Sequence, residues 1–301
     1  MASPPSSSEA GDPPQITVEN SSAQASSSPH HKMSPRNRAL FFLTAWLIVL
    51  MPFLFWWNTW FGRHLSDKQI TEYLADEKHP RHIQHALVQF GERMTRHDAS
   101  VVPLYPDLIR LSTHPVEEVR NTDAWVMGQD TSQATFHEAL LKMLSDPSPM
   151  VRGNAALSLV RFGDASGRLQ IVALLQPAKL TAPTAGRITD TDKVGTAIHQ
   201  NGLIAKIQNG GQLTEVRTPI TGRIRSLLVS PGTNVAAGSE IATVDPGDEQ
   251  VWEALRALFL IGQVDDLPSI RAYERELPEI SDRVRQQALL TEKSIRDRAA
   301  R

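Results

Sequence analysis

The sequence predicts a mainly α-helical protein, an α-solenoid of stacked helix pairs with one small all-β domain inserted in it. A transmembrane helix and a disordered tail are predicted before the solenoid. Three observations predict this fold class: a β-type pattern occurs twice between Leu180 and Val244, a helical motif recurs on both sides of it, and residues 39–62 are uncharged. The chain has 301 residues, of which 41% are hydrophobic, so it is long enough to bury one or two cores.

The first 36 residues differ in composition from the rest of the chain. Ser, Pro and Ala dominate, and clusters of aliphatic residues are scarce. Such a segment cannot bury enough apolar surface to offset the entropy lost on ordering. We therefore expect a disordered tail over residues 1–36.

Residues 39–62 contain no charged side chain. At about 1.5 Å per helical residue they would reach about 36 Å, enough to cross a hydrocarbon core of about 30 Å. Trp56, Trp57 and Trp60 lie at the C-terminal end, where aromatic rings favour the membrane interface. A cleaved signal peptide is the alternative, but the preceding tail is long and no small-x-small cleavage site follows. The run predicts one transmembrane helix.

Basic residues on both sides of this run indicate its orientation. Lys32, Arg36 and Arg38 precede it, whereas Arg63 and Lys68 follow it. The positive-inside rule then predicts a cytoplasmic N-terminus and a periplasmic or otherwise extracytoplasmic body. The expected location is a membrane crossed once.

A helical motif occurs before and after the β pattern. Val-Arg-x-x-Ala begins at Val151 and again at Val284, and a partial copy begins at Val119, 32 residues before Val151. The apolar residues that follow Val151 recur at helical spacing and share one face. The motif resembles the HEAT-repeat family, in particular its short bacterial form, and the spacing agrees with a helix-pair solenoid. An ordinary helical bundle is the alternative.

The β segment consists of two similar halves. Pro-x-x-Gly-x-Ile is followed in each half by further glycines; the matched positions are Pro183 with Pro219, Gly195 with Gly232, and Gly202 with Gly238. This order resembles the biotinyl/lipoyl-like (barrel-sandwich hybrid) family. That family includes carrier domains and the hairpin-bearing domain of HlyD-type membrane fusion proteins. The resemblance implies two halves packed around one small core.

The central hairpin lacks the residue that a carrier needs. In the carrier domains of this family, the modified lysine lies at the hairpin tip, before the proline of the second half. Counting back eight residues from Pro219 gives Gly211, flanked by Gly210 and Gln212. Asn209-Gly210 is itself a strong hairpin signal. Because Gly211 occupies the position of the carrier lysine, we expect no biotin, no lipoate and no other cofactor.

The helical pattern resumes after the β segment. Val251–Gly262 has the pattern of a second repeat helix, whose first helix is Leu169–Leu175. A β domain inserted within one repeat would place Pro177 close to Gly247. The expected domains are a tail at 1–36, a transmembrane helix at 39–62, HEAT-like repeats at 65–177, a biotinyl/lipoyl-like domain at 178–247 and continued HEAT-like repeats at 248–301.

Residues that could carry chemistry are few. Cysteine is absent, which excludes thiol nucleophiles and thiolate metal sites. His79, His82 and His85 are spaced three apart, with Asp76 and Glu77 nearby. Because a metal site would need a third ligand, solvent-facing histidines are the favoured interpretation.

Motifs for catalysis are also missing from the sequence. It contains no Ser/His/Asp arrangement, phosphate loop or H-E-x-x-H motif, and the β segment, with His199 as its only histidine, lacks the ligand pairs of lysostaphin-type metallopeptidases. No residues indicate a bilin-binding pocket of the kind that a phycobilin lyase needs. We expect that the protein is not an enzyme and that it has no catalytic residue and no metal site.

These observations favour a membrane-anchored, non-enzymatic adaptor or scaffold in a cell-envelope complex, of HlyD-like transport or secretion type. The alternative is an accessory subunit that stabilises a membrane enzyme complex. The expected partners are other membrane or envelope proteins and the bilayer, and a homo-oligomer is compatible with the sequence. A pI of about 6.6 gives no electrostatic basis for binding nucleic acid.

Overall fold

The computed structural model describes residues 34–59 and 64–301. The chain divides into two compact units, Met1–Arg63 and His64–Arg301. Of the disordered tail expected at residues 1–36, residues 1–33 lie outside the described residues.

The described part of the first unit contains one helix, α1 (Pro35–Thr59). Among the residues that the structure describes, no helix is long and apolar enough to cross a membrane. The transmembrane helix predicted at 39–62 and the single-pass location with an extracytoplasmic body are therefore wrong.

The second unit contains stacked helical hairpins. Its α-helices pair as α2 (Asp67–Leu74) with α3 (Pro80–Thr95), α4 (Tyr105–Leu111) with α5 (Glu117–Met127), α6 (Ala134–Met143) with α7 (Pro149–Arg161), α8 (Arg168–Ala173) with α9 (Asp248–Ile261), and α10 (Leu267–Arg271) with α11 (Asp282–Ala299). Short 3-10 helices, Ala99–Leu104 and Val264–Asp266, precede α4 and α10.

Capping residues determine where several of these helices begin. At the start of α2, Ser66 Oγ accepts a hydrogen bond from Gln69 N while Gln69 Oε1 accepts one from Ser66 N, which is a capping box. At the start of α7, Ser148 Oγ accepts from Val151 N, and Pro149 takes the first helical position. These starts are encoded locally.

The second helices of successive hairpins lie side by side and run in the same direction. Ser158 Oγ of α7 donates to Ala124 O of α5 at 2.8 Å, and Thr291 Oγ1 of α11 donates to Leu255 O of α9 at 2.9 Å. Both hydroxyl groups are buried, so each bond satisfies a polar group that would otherwise destabilise the stack. α3, α5, α7, α9 and α11 thus form one layer.

Helix α7 belongs to two hydrophobic cores. Val151, Ala155 and Leu159 pack with the hairpins before it, whereas Ala156 and Val160 pack with α9 and α11 after it. Residues four apart share a helical face, so adjacent positions on α7 can serve different cores. This sharing joins the hairpins on either side of the β domain.

The β domain interrupts the fourth hairpin, between α8 and α9. Its strands are β1 (Ala178–Thr181), β2 (Gly186–Thr191), β3 (Ala197–Ile198), β4 (Leu203–Asn209), β5 (Gln212–Arg217), β6 (Gly222–Leu227), β7 (Asn234–Val235) and β8 (Glu240–Pro246). β1 pairs antiparallel with β8, with Ala178 opposite Val244. The chain therefore leaves and rejoins the hairpin at neighbouring points, as expected for Pro177 and Gly247. Met150 of α7 packs against the core of the β domain.

The strands form two antiparallel four-stranded sheets, in the orders β1-β8-β6-β3 and β5-β4-β2-β7. Exchanging β1–β4 with β5–β8 converts the first order into the second. Each sheet therefore takes strands from both halves of the sequence, and neither half forms a sheet alone. The buried side chains repeat in the same way, since Ile188 matches Ile224 and Ile204 matches Ile241.

The backbone conformation corrects one detail of the predicted duplication. Gly195 and Gly232 have φ of 84° and 96°, which supports their match. Gly238 has φ of 83°, and the residue with a similar conformation in the first half is Asn201, at 62°, rather than Gly202. Asparagine is among the few residues that tolerate this conformation, so the glycine pattern hid the match by one position.

The predicted fold class, mainly α with a transmembrane helix, is wrong as stated. About half of the chain is helical, and the remainder includes two antiparallel sheets with a core of their own. The strands occupy residues 178–246 and bury side chains in a core of their own, so the protein combines helical hairpins with a β domain rather than being mainly α.

Candidate functional site at the hairpin tip and in the first repeat

The hairpin formed by β4 and β5 ends in a two-residue turn. Asn209 pairs with Gln212, which leaves Gly210 and Gly211 as the turn, with φ of 55° and 91°. Two consecutive positive φ angles are typical of the tight turns that suit β-hairpins, and glycine adopts them without a steric penalty. The Asn-Gly signal therefore predicted this turn correctly.

Gly211 lies in this turn, at the position where the family resemblance places a carrier lysine. A Cβ atom added at Gly210 or Gly211 would have no heavy atom within 4 Å, so the turn projects away from the rest of the described domain. No lysine lies between Gln208 and Leu213. The tip therefore presents no amine that could form an amide bond with biotin or lipoate.

Large apolar side chains are exposed both beside the tip and on the last two hairpins. Leu213, next to the turn, is 54% exposed. On α9 and α11, the second helices of these hairpins, Leu260, Leu289 and Leu290 are 60%, 48% and 54% exposed. Single exposed leucines are common on protein surfaces, and a protein partner covers them where several lie together.

The first repeat brings together some of the histidines singled out in the sequence. His79 Nδ1 and His82 Nδ1 lie 2.9 and 2.7 Å from Asp76 Oδ2. The hydrogen bond with His82 has the largest effect and lowers the pKa of Asp76; desolvation opposes it, and the hydrogen bond with His79 lowers the pKa further. His85 is not part of this group, because its Nε2 contacts Gln89 Nε2 at 2.8 Å.

Glu77, the other carboxylate near these histidines, is engaged elsewhere. Its Oε1 accepts a hydrogen bond from Arg110 Nη1 at 2.6 Å, and its Oε2 lies 3.3 Å from His114 Nε2. Arg110 also donates to Leu74 O at 2.9 Å, so it joins α4 to the end of α2. Glu77 therefore connects the first two hairpins, and the sequence alone could not distinguish its role from that of Asp76.

Sequence reasoning missed an unusual buried carboxyl group, that of Asp123 in α5. The side chain is fully buried, and neither oxygen has a hydrogen-bond partner among the described residues. Burial raises the pKa of Asp123 well above its usual value, although Arg110 acts in the opposite direction. The available signal was positional, since Ala155 follows Val151 at the offset at which Asp123 follows Val119.

Two comparisons with known proteins bear on these modules, and the first concerns the helical hairpins. Residues 138–166 match the HEAT repeat family. The match covers part of α6, all of α7 and the turn between them. One hairpin of the stack is therefore a HEAT repeat by sequence.

The second comparison gives a partial relative. Over 88 residues the chain is 30% identical to the dihydrolipoyllysine-residue succinyltransferase component of the 2-oxoglutarate dehydrogenase complex, mitochondrial, of Saccharomyces cerevisiae. The aligned region is 29% of this chain and 19% of that protein, so the chain spans about a fifth of the length of this relative. Neither comparison shows the HlyD-type resemblance.

Proposed function

We propose that this protein is a non-enzymatic adaptor or scaffold that binds other proteins through its helical repeats and its inserted β domain. Stacked helical hairpins contact mainly their neighbours in the stack, which leaves an extended surface for partners. Here the second helices form such a layer from α3 to α11. The exposed Leu289 and Leu290 lie on the last helix of that layer.

The observation that carries the proposal is the placement of the β domain within the fourth hairpin. β1 and β8 pair at its base, and Met150 of α7 contacts its core, so the domain is attached to the solenoid at two points of the chain. Its hairpin ends in Gly210 and Gly211, without a lysine. A domain held in this way is suited to present a fixed surface rather than to move a cofactor between active sites.

A narrower version of the proposal is a role in transport or secretion of the HlyD type. What supports it is the order of prolines and glycines in the two halves, which resembles that of the hairpin-bearing domain of those proteins. A long helical hairpin is replaced here by the two-residue turn at Gly210 and Gly211. Contacts of the β domain in this version would therefore involve its sheets and the short hairpin.

A second candidate function is that of an accessory subunit which stabilises an enzyme complex. The observation that favours it is the partial identity with a component of the 2-oxoglutarate dehydrogenase complex. In this case the β domain would occupy a place in an assembly without taking part in acyl transfer.

Site-specific crosslinking in the native cell tests these proposals. A photoreactive residue is placed at Leu213 beside the tip or at Leu290 on α11, and at Leu169 on α8, outside the layer of second helices, as an exposed control, since all three side chains are at least 54% exposed. A scaffold should give discrete, reproducible adducts from Leu213 or Leu290 that are absent from Leu169. Transport or secretion proteins among the adducts favour the narrower version, and subunits of one enzyme complex favour the second candidate.

The opposite result is equally well defined. Adducts that do not differ between the three positions, or substrate turnover by the purified protein, would contradict a scaffold. A second variant joins residue 177 to residue 247 through a short Gly-Ser linker, which the pairing of β1 with β8 makes feasible. If the β domain recruits the partner, this variant should keep its helical circular dichroism and lose the adduct from Leu290 to that partner.

A further inference from the structure

The turn between α2 and α3 holds one carboxylate and two imidazoles close together. Asp76 lies in the turn, His79 is the residue before the first turn of α3, and His82 lies in that first turn. The backbone fixes their spacing, because Asp76 N donates to Tyr73 O at 3.2 Å, His79 N to Asp76 O at 3.0 Å, and His82 N to His79 O at 2.8 Å. The three side chains are thus set by local structure that does not depend on distant contacts.

The atoms that face one another are all potential metal ligands. His79 Nδ1 and His82 Nδ1 lie 2.9 and 2.7 Å from Asp76 Oδ2, and one ligand atom from each residue lies within 4.8 Å of the others. Zn²⁺ binds imidazole nitrogen and carboxylate oxygen at about 2.0–2.2 Å, which places tetrahedral ligands about 3.4 Å apart. Each imidazole nitrogen therefore needs to move away from Asp76 Oδ2 by only about 0.5–0.7 Å to accommodate the ion.

The surroundings hold the rings in place while leaving the group accessible. The ring of Tyr73 stacks on that of His82, with centroids 4.5 Å apart and planes 12° from parallel. The side chains of His79, His82 and Asp76 are 61%, 44% and 26% exposed, so an ion and a solvent ligand could reach them.

We propose that Asp76, His79 and His82 form a binding site for a divalent transition-metal ion of the Zn²⁺ class, with the remaining coordination position open to solvent. From the sequence, no carboxylate could be placed beside the histidines. In the structure, Asp76 lies beside His79 and His82 and completes a set of three ligands. The ion would connect the turn after α2 to the start of α3, and so it would stabilise the first hairpin of the stack. Neither comparison with known proteins assigns such a site.

The test measures metal binding by the full-length protein, prepared without an affinity tag and freed of metal with a chelator. Co²⁺ is titrated as a spectroscopic probe, and Zn²⁺ affinity is measured by competition with a chromophoric chelator. We expect saturable binding of one ion per chain. His79→Ala, His82→Ala and Asp76→Asn should each weaken it by at least about 100-fold, since each removes a direct ligand or its charge.

Two control variants separate this site from other histidines. His85→Ala removes an imidazole on the same helix that contacts Gln89 instead, and it should leave the affinity within about threefold of wild type. Replacing both His30 and His31 by alanine removes the adjacent pair near the N-terminus and should have equally little effect. Circular dichroism checks that every variant folds.

Each remaining outcome overturns the proposal. Absence of saturable Zn²⁺ and Co²⁺ binding means that Asp76 only accepts hydrogen bonds from the two imidazoles. Affinity that survives in the His79→Ala/His82→Ala double variant, or that is lost in His85→Ala, places the ion elsewhere. X-ray absorption of the Zn²⁺-bound wild type gives a result independent of any variant, and a first shell without imidazole nitrogen would likewise refute the site.

Discussion

The carboxyl group of Asp123 offers a direct test of the packing in the helical stack. It is buried in α5, and neither of its oxygens has a partner among the described residues. We predict that Asp123→Ala stabilises the protein, because alanine is the residue that the next repeat has at this offset, in Ala155. Removing a buried polar group that lacks a partner should raise the free energy of unfolding by about 1–3 kcal/mol.

The effect should depend on pH in a defined direction. Burial raises the pKa of Asp123 well above the ordinary value of 3.8. The folded state then binds this proton more tightly than the unfolded state. Its contribution to stability is complete below the unfolded pKa and is lost as pH rises towards the folded pKa. The gain from Asp123→Ala should therefore be smallest near about pH 4 and larger at about pH 7.

Urea unfolding followed by circular dichroism, repeated across this pH range, measures the effect. For a body of this size, a gain of about 2 kcal/mol corresponds to a rise in Tm of about 4–8 °C at neutral pH. Asp123→Asn is the matched control, because it removes the titrating proton and retains polar atoms without partners. The stability of this variant should lack the pH dependence that the carboxyl group causes. At low pH, where the wild-type carboxyl group is protonated, the variant should differ little from wild type.

Two results would refute the reasoning on Asp123. Asp123→Ala could lower the urea midpoint at every pH, which would mean that the carboxyl group makes a stabilising contact in the folded protein. Alternatively, the free energy of unfolding of both variants could keep the pH dependence of the wild type. That would mean that the carboxyl group of Asp123 does not take up a proton on folding.

Three further perturbations test other parts of the structure. Arg120→Ala removes hydrogen bonds to Asp146 at 2.7 and 2.9 Å between two largely buried side chains, and urea unfolding should show a loss of about 3–5 kcal/mol; a loss below about 1 kcal/mol would be inconsistent with a buried pair. Gly211→Ala should cost about 1–2 kcal/mol in spite of open space, because φ is 91° there, and an unchanged midpoint would argue against the left-handed turn. Burial and the hydrogen bond with Glu292 raise the pKa of Glu274 to about 7, so the stability that this group contributes falls as pH rises from 4.5 towards 7. Glu274→Gln should flatten that part of the profile of urea midpoint against pH. An unaltered profile would mean that Glu274 does not take up a proton on folding.

Several features of the β domain could be predicted because they depend on residues close in sequence. The turn at Gly210 and Gly211 follows from the Asn-Gly signal, and the duplication follows from glycines that repeat with positive φ. The proximity of the two ends of the domain also agrees with prediction, since Ala178 pairs with Val244. The match of Asn201 to Gly238 was missed because two different residue types adopt one conformation.

An uncharged run was a poor guide to the N-terminal segment. Residues 39–62 fitted the length of a bilayer in the sequence, yet the described part of the chain contains no helix that could cross one. The absence of charge is a property of composition, and by itself it does not establish a membrane span.

The sequence by itself determined where helices begin and where turns occur, because Ser66, Ser148 and the turn glycines act on backbone atoms a few residues away. Only the tertiary structure decided which side chains meet. Asp76 and Glu77 are adjacent in the chain, but they have different partners. Arg110 of α4 donates to Glu77, whereas His79 and His82 contact Asp76. The sheets likewise exchange strands between the two halves, because neither half could bury its apolar face alone.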